Sequence, residues 1–491
     1  MVLKILLVAA LAAACTTRGG DMSAQPARKC PDWFAKGLVY QVQPRAFSPD
    51  GSLKGIKAKL PYIKELGVTV IYILPVFKMD EDMDKSFWSP RQIESGFENP
   101  KNQYRIVDYF HVDSEYGTDA DLKDLVAAAH RIGLKVIFDL VYFHFGPTAP
   151  FLKTHPEFAA WNADGSIRKG KWRFPQFDFS KPSVREYLKT NLIYLMAEFD
   201  CDGFRCDVGA RIPLDFWCEA RDRMEAFKPD AILLCEGSCP ANQTKAFDAD
   251  YGRFPSPELF GRDSGKASAR SLRSAWQKQA AVWAEGARFV NHYENHDFAT
   301  DVHPRRETAW THAGVDQVLV YMFTLDGVPL LFNGNEFAEA SPNHSMFGRT
   351  PLDWSVLGTP EGRSRTALVK KLAEMRRSLP ALTAINGRKG LEWLDVSRER
   401  DATAFVRRAP GCRSVVVVQN WRAVSLDVSV LFKAPQEDDA AALSIQDGEP
   451  ILAHLAERTG KWSFRLGPYG YYVGFAGPEP GRKPARENGN R

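Results

Sequence analysis

Four short stretches of this sequence carry acids, bases and a guanidinium in arrangements that could attack an electrophilic carbon and move a proton. In CDGFRCDVG, Cys201–Gly209, Arg205 and Asp207 are one residue apart, behind an apolar run that includes Leu195, Met196 and Phe199. On a strand, alternation points both the same way and sends Cys206 into the packing. A guanidinium beside a carboxylate lowers its pKa and keeps it ionised at neutral pH, the condition for a carboxylate nucleophile. Alone, the pair reads equally as an ordinary ion pair at a strand end. The other stretches are DLVYFH with Asp139 and His144, LLCEG with Glu236, and NHYENHD with His296 and Asp297. Singly they would be a buried imidazole, an exposed carboxylate and a surface turn. Converging on one cleft, they would gather several acids, two imidazoles and a guanidinium at one site.

The elements that must position these residues alternate in type. Leu38–Gln43, Val68–Val76, Leu134–Val141, the stretch before Asp207, Ala231–Cys235, Ala287–Asn291 and Val328–Phe332 read as strands, and a weaker eighth falls within Ala246–Gly252. Between them lie helical patterns, such as Ile56, Leu60 and Ile63 before Gly67, and the segment from Thr118 to His130. Eight strand–helix units predict an α/β fold, a (β/α)8 TIM barrel, with the chemistry at the strand C-termini. A doubly wound sheet is the alternative, but no GxGxxG or GxxxxGK[ST] follows a strand. The Pro-, Gly- and aromatic-rich excursion 145–181 predicts a small subdomain inserted after strand three. A long loop, Lys78–Tyr104, is expected on the same rim. Past Ile385 the pattern turns to short strands separated by turn residues, an antiparallel β-domain over 385–477. The catalytic barrel is then 33–384, and the tail 478–491 is Pro-, Gly- and charge-rich.

The 491 residues are 44% apolar and 25% charged, with a net charge of +4, the balance of a soluble globular chain. No Lys/Arg block argues for a nucleic-acid partner. Lys4 followed by the apolar run Ile5–Ala14 reads as an export signal over 1–14, too short to span a bilayer. LAAAC at Leu11–Cys15 resembles a bacterial lipoprotein box. The expected location is therefore outside the cytoplasm, as a lipoprotein held through Cys15 or as a secreted protein, with 15–32 as a polar tether. The seven later cysteines match no zinc spacing, and small buried thiols are the favoured reading.

Together these stretches resemble the α-amylase family of retaining glycoside hydrolases (family 13), from about Val39 to Phe475. VYQVQPRAF resembles the family's opening strand, Asp139–His144 its third-strand motif, Gly203–Asp207 its fourth, Leu233–Gly237 its fifth and Asn291–Asp297 its seventh. Tyr104–Thr118 resembles the segment after strand two, and Gly327–Glu336 the eighth strand. The resemblance implies Asp207 as nucleophile, Glu236 as acid/base with a raised pKa, and Asp297 as the third carboxylate. His144 and His296 are implied donors to sugar hydroxyls, Tyr104 a stacking platform, and Arg205 a partner of Asp207 and Asp139. Phe143 stands where many relatives have a calcium-binding Asn, and Gln176 where an acidic ligand would fall, so no calcium, metal or other cofactor is expected. Val208–Arg211 lack the Lys-His pair of endo-acting α-amylases. The implied activity is hydrolysis of α-1,4-glucans or malto-oligosaccharides by double displacement. The alternatives are a transglycosylase on the same site and a non-catalytic glucan-binding barrel. A metal-dependent amidohydrolase is disfavoured because the first strand has no His-x-His.

Overall fold

Eight short parallel strands close on themselves: β1 (Val39–Val42), β2 (Val70–Ile73), β5 (Lys135–Leu140), β6 (Gly203–Cys206), β7 (Ile232–Cys235), β8 (Ala249–Tyr251), β9 (Phe289–Asn291) and β10 (Val328–Phe332), with β10 pairing back to β1. The structure, a computed structural model, describes residues 21–251, 268–298, 305–341, 346–383, 390–432, 442–443, 454–456 and 461–476. The expected signal 1–14, Cys15, the barrel-to-domain junction at 384–385 and the tail 478–491 lie outside the described residues.

Strand alternation sorts the barrel lumen into layers. Val39, Val70, Ile137, Ile232, Val290 and Val328 belong to one buried apolar cluster, and two residues further along come polar groups such as Gln41, Tyr72, Asp139 and Arg205. The register that pairs Asp139 with Arg205 also pairs Ile137 with Gly203. Gly203 has φ +148°, and a Cβ there would sit 2.3 Å from the Ile232 carbonyl oxygen. Only glycine lets β6 approach β7 closely enough to bring Asp207 and Glu236 together.

The helices wrap outside, as their periodicity predicts. Leu53–Glu65 buries Leu53, Ile56, Leu60 and Ile63. Asp119–Arg131 starts with a Thr118–Asp121 capping box and buries Leu122, Leu125 and Val126. Cys206 belongs to this outer apolar layer. Cys30, Cys201, Cys206 and Cys235 are buried free thiols.

Two sequence expectations change. The segment 21–30, read as tether, is pinned beneath the barrel: Met22 N–H donates to Val282 O at 2.9 Å and Ala27 N–H to Glu285 O at 2.8 Å, while Arg28 pairs with Asp248 and Glu225. Cys30 and Phe34 then plug the barrel floor. The stretch read as one loop, Lys78–Tyr104, begins in a strand, β3 (Phe77–Met79), which pairs antiparallel with β4 (Ile106–Val112). It also carries a short helix, Pro90–Glu94, N-capped by Ser89. Trp88, Gln92, Gln103 and Arg105 are fully buried, so this segment is a built wall of the mouth.

The excursion 145–181 is held by isolated antiparallel bridges, His144–Gln176, Ala159–Phe177 and Lys169–Pro175 among them, over a cluster of Phe145, Phe151, Phe158 and Phe177. Beyond the barrel, β11 (Leu391–Trp393), β12 (Ala402–Arg407), β13 (Ser414–Asn420), β15 (Ala442–Leu443) and β18 (Tyr471–Ala476) form one antiparallel sheet. A second contains β14 (Leu426–Leu431), β16 (His454–Ala456) and β17 (Lys461–Leu466). Val416 and Val418 face the second sheet while Val415 and Val417 face the barrel. That explains the unbroken apolar run of β13, which is buried on both faces.

Candidate active site

Arg205 is the hub. Its side chain is fully buried, and Nη1 donates to both oxygens of Asp139 at 2.7 and 2.9 Å and to Asp207 Oδ1 at 2.9 Å. Its second terminal nitrogen, Nη2, lies 3.1 Å from Glu236 Oε2. One guanidinium therefore touches the acids at the ends of three consecutive strands, which holds Asp207 and Glu236 a guanidinium's width and two contacts apart. Val208 N–H donates to the same Glu236 oxygen at 2.7 Å, so both contacts of Glu236 fall on Oε2. Asp207 Oδ2 has no hydrogen-bond partner among the described residues; its nearest base is His144 Nε2 at 3.9 Å.

Accessibility grades the acids. The side chain of Asp139 is fully buried, Asp207 8% exposed, Glu236 28% and Asp297 42%. Burial pushes Asp207 well above the usual carboxylate range; Arg205 opposes this, and the neighbouring charges of Glu236 and Asp139 add to it. Asp139 is raised for the same first reason. The expectation that Arg205 alone would hold Asp207 low is thus overturned, because desolvation outweighs one shared guanidinium. Burial also drives His144 and His296 down to about 3, so both rings are neutral at physiological pH.

A polar chain fixes the opposite wall. Gln41 Nε2 lies 3.0 Å from His296 Nδ1, and His296 Nε2 lies 2.7 Å from Tyr104 Oη. Tyr104 Oη donates to Asp139 Oδ2 at 3.0 Å, and Tyr72 Oη donates to the same oxygen at 2.7 Å. With Gln41 as donor, the neutral His296 carries its proton on Nε2 and points it at Tyr104. The Tyr104 and His296 rings are within 16° of parallel, centroids 5.6 Å apart. All eight sequence-predicted residues, Tyr104, Asp139, His144, Arg205, Asp207, Glu236, His296 and Asp297, lie at this one mouth.

Three partners were not singled out from sequence. Tyr72 and Gln41 had a signal, being polar groups at inward positions of otherwise apolar strands. Arg91 had none, because it comes from the helix Pro90–Glu94 in the wall. Arg91 Nη1 donates to Asp297 Oδ1 at 3.0 Å and Nη2 to the His296 carbonyl at 2.8 Å. Burial disfavours the charge of Asp297, but His296, Arg91 and Arg205 more than offset it, holding Asp297 down at about 2.

Arg91→Met therefore has a readable consequence. With the guanidinium gone, Asp297 loses one of the charges that favour its ionised form and protonates at a higher pH than in the parent. The acid limb of kcat/KM is expected to move to higher pH, with kcat lower by about tenfold from the lost orientation. An unchanged limb would show that Arg91 does not hold the charge of Asp297.

At the position where many relatives bind calcium, the Phe143 ring packs against Trp172, centroids 6.3 Å apart, and Gln176 pairs with His144 through the backbone. Among the described residues no group of three or more His, Cys, Asp or Glu is arranged to hold a metal ion. A phenyl ring offers a hard cation nothing, so the residues at this position do not fit calcium.

A parallel eight-stranded barrel whose acids gather at the C-terminal mouth is the arrangement of a barrel enzyme. Residues 30–164 match the family described as "Alpha amylase, catalytic domain". The chain is 28% identical over 387 residues to "Alpha-amylase MalA" of Haloarcula japonica, covering 75% of this chain and 52% of that one. It is 24% identical over 487 residues to the maltogenic α-amylase of Bacillus acidopullulyticus, covering 86% and 76%. It thus spans about half the length of the first relative and three quarters of the second. Among solved structures, the noncanonic maltogenic α-amylase AmyB of Thermotoga neapolitana superposes with a TM-score of 0.77 at 22% identity, over 90% of this chain and 99% of that one. Residues 30–164 are thus similar to the α-amylase catalytic domain, and the chain shares its fold with the solved maltogenic α-amylase.

Proposed function

We propose that the protein is a retaining α-glycoside hydrolase acting on α-1,4-linked glucans or malto-oligosaccharides. The observation that carries this reading is the single guanidinium of Arg205 reaching both Asp207 and Glu236. Direct attack by one carboxylate, with protonation by the other, needs them about 5–5.5 Å apart. Asp207 Oδ2 attacks the anomeric carbon as the glycosidic C–O bond breaks, and Glu236 gives its proton to the departing oxygen. Water then enters: Glu236 takes its proton, the oxygen bonds to the anomeric carbon, and Asp207 leaves. Asp297 and neutral His144, whose ring nitrogens have no partner among the described residues, hold the ring hydroxyls while positive charge develops, whereas both nitrogens of His296 are taken by Gln41 and Tyr104.

Incubation with maltoheptaose and with α-1,4, α-1,6 and trehalose-type glucosides, followed by product chromatography, tests the reading. Shorter malto-oligosaccharides are expected to accumulate, with the α-configuration of the new reducing end retained. Products longer than the substrate would instead assign transfer to a sugar hydroxyl. Binding with no turnover at all would assign a glucan-binding barrel. Export and lipidation at Cys15 are proposed on the leader sequence alone; the mass of the mature N-terminal peptide and its membrane fractionation test them.

A further inference from the structure

The excursion after β5 brings an unusual charge to the cleft. Its stretch Ile167–Arg173, IRKGKWR, carries Arg168, Lys169, Lys171 and Arg173 around Trp172. The backbone here is a tight turn, Gly170 N–H to Phe174 O at 3.3 Å and Arg173 N–H to Gly170 O at 2.9 Å. The turn lays Trp172, half-buried, beside His144 with ring centroids 5.6 Å apart. Since His144 stands 3.9 Å from Asp207 Oδ2, the indole is one ring's width out from the nucleophile.

Two cations flank that indole. Lys171 Nζ is 4.3 Å from the Trp172 ring centroid and Arg211 Cζ is 5.8 Å from it. Arg211 ends the short turn Gly209–Arg211 directly after the nucleophile, and its neighbour Ala210 donates to the Glu236 carbonyl at 3.3 Å. This places Arg211 on the acid/base side, where the leaving group departs. Other cations on nearby helices are paired: Arg185 and Lys189 meet Glu219, and Lys228 meets Asp200. Neither Lys171 nor Arg211 has a carboxylate within 4 Å among the described residues. Partial burial and the like charge of Arg211 disfavour the Lys171 ammonium, although the carboxylates of Glu236, Asp297 and Asp207 act the other way. A neutral glucan would use the indole face and leave both cations idle.

Resting on the hydrolase reading above, we infer that the leaving-group side of the cleft accepts a sugar that carries an anionic group, a phosphate or a carboxylate, with its ring against Trp172 and the anion between Lys171 and Arg211. The indole gives the C–H face of the sugar an apolar surface. The two side chains give its anion charge-assisted hydrogen bonds, which are about twice as strong as neutral ones.

The test compares maltose, 4-O-α-glucosyl-glucuronate, whose leaving sugar keeps its ring and carries a carboxylate, and maltose phosphorylated on the 6-hydroxyl of its reducing glucose. Affinities are measured by calorimetry on Asp207→Asn protein, and kcat/KM on the parent enzyme. At low ionic strength at least one anionic glycoside is expected to outperform maltose by about tenfold or more in both. Whichever of phosphate and carboxylate gains more identifies the source of the anion. The anionic-to-neutral ratio is expected to fall towards one in Lys171→Met/Arg211→Met protein and in about 0.5 M salt, and to persist in Lys171→Arg/Arg211→Lys protein. Equal affinity for neutral and anionic glycosides would overturn the inference. So would a double Met variant that lowers both alike, since the cations would then serve only to balance the site carboxylates. Because calorimetry needs no turnover, an anionic preference without hydrolysis would sink the hydrolase reading while leaving this one standing.

Discussion

Asp207→Asn is expected to lower kcat by about 10⁴-fold or more while leaving the fold at least as stable as the parent. The activity loss follows from the geometry. Oδ1 is held by Arg205 and Oδ2 alone is free to attack; an amide of the same shape keeps the first contact and has no nucleophilic oxygen to replace the second. The stability gain follows from linkage. Burial raises the pKa of Asp207 in the folded chain above its unfolded value. A carboxylate raised in this way destabilises the fold progressively as pH climbs above the unfolded value of about 3.9. Asn carries no charge, so the variant should unfold at the same or a higher temperature at neutral pH, and the difference should shrink under acid conditions. Thermal unfolding of both proteins at two pH values, together with initial rates on maltoheptaose, measures this. A variant that keeps a tenth of the parent rate would remove Asp207 from the nucleophile's role. One that loses both rate and stability would show that its charge supports the fold.

Much of the site was legible because barrel strands write their inward residues at every second position. Arg205 and Asp207 share a face for that reason, and Gly203 two residues earlier marks the close approach of β6 to β7. The sixth barrel strand, Ala249–Tyr251, was the faintest in sequence because its three residues have the acidic Asp250 at their centre and so form no apolar run. Legibility failed where position depends on distant chain. Arg91 reaches Asp297 from an insertion whose path is set by buried Trp88, Gln92 and Arg105, a tertiary fact with no local period. The sign of the Asp207 shift failed for a different reason. Sequence shows that Arg205 is adjacent, but not that it is divided among Asp139, Asp207 and Glu236, nor that Asp207 is almost wholly desolvated. The tether reading of 21–30 failed because polar, uncapped sequence looks the same whether it is solvated or hydrogen-bonded beneath a barrel.

Glu236→Gln should separate substrates by their leaving groups. On maltose, whose departing sugar oxygen must be protonated, kcat is expected to fall by about 10²–10⁴-fold. On 4-nitrophenyl α-glucoside the departing phenolate needs no proton, so the first step should proceed at close to the parent rate. Glu236 must also activate water in the second step, so turnover should then stall. The predicted trace is a burst of one nitrophenolate per active site followed by a slow phase. Gln keeps an oxygen for Val208 N–H, the 2.7 Å bond that fixes Glu236, so the frame around Arg205 should hold. Removing the negative charge also lets a small anion into the water's position. Added azide should therefore attack the anomeric carbon of the glycosyl-enzyme, displace Asp207 and restore turnover, yielding α-glucosyl azide, since two displacements retain configuration. Equal losses on both substrates, or no response to azide, would assign the proton transfers to another group. The β-anomer of the azide would rule out a covalent intermediate on Asp207.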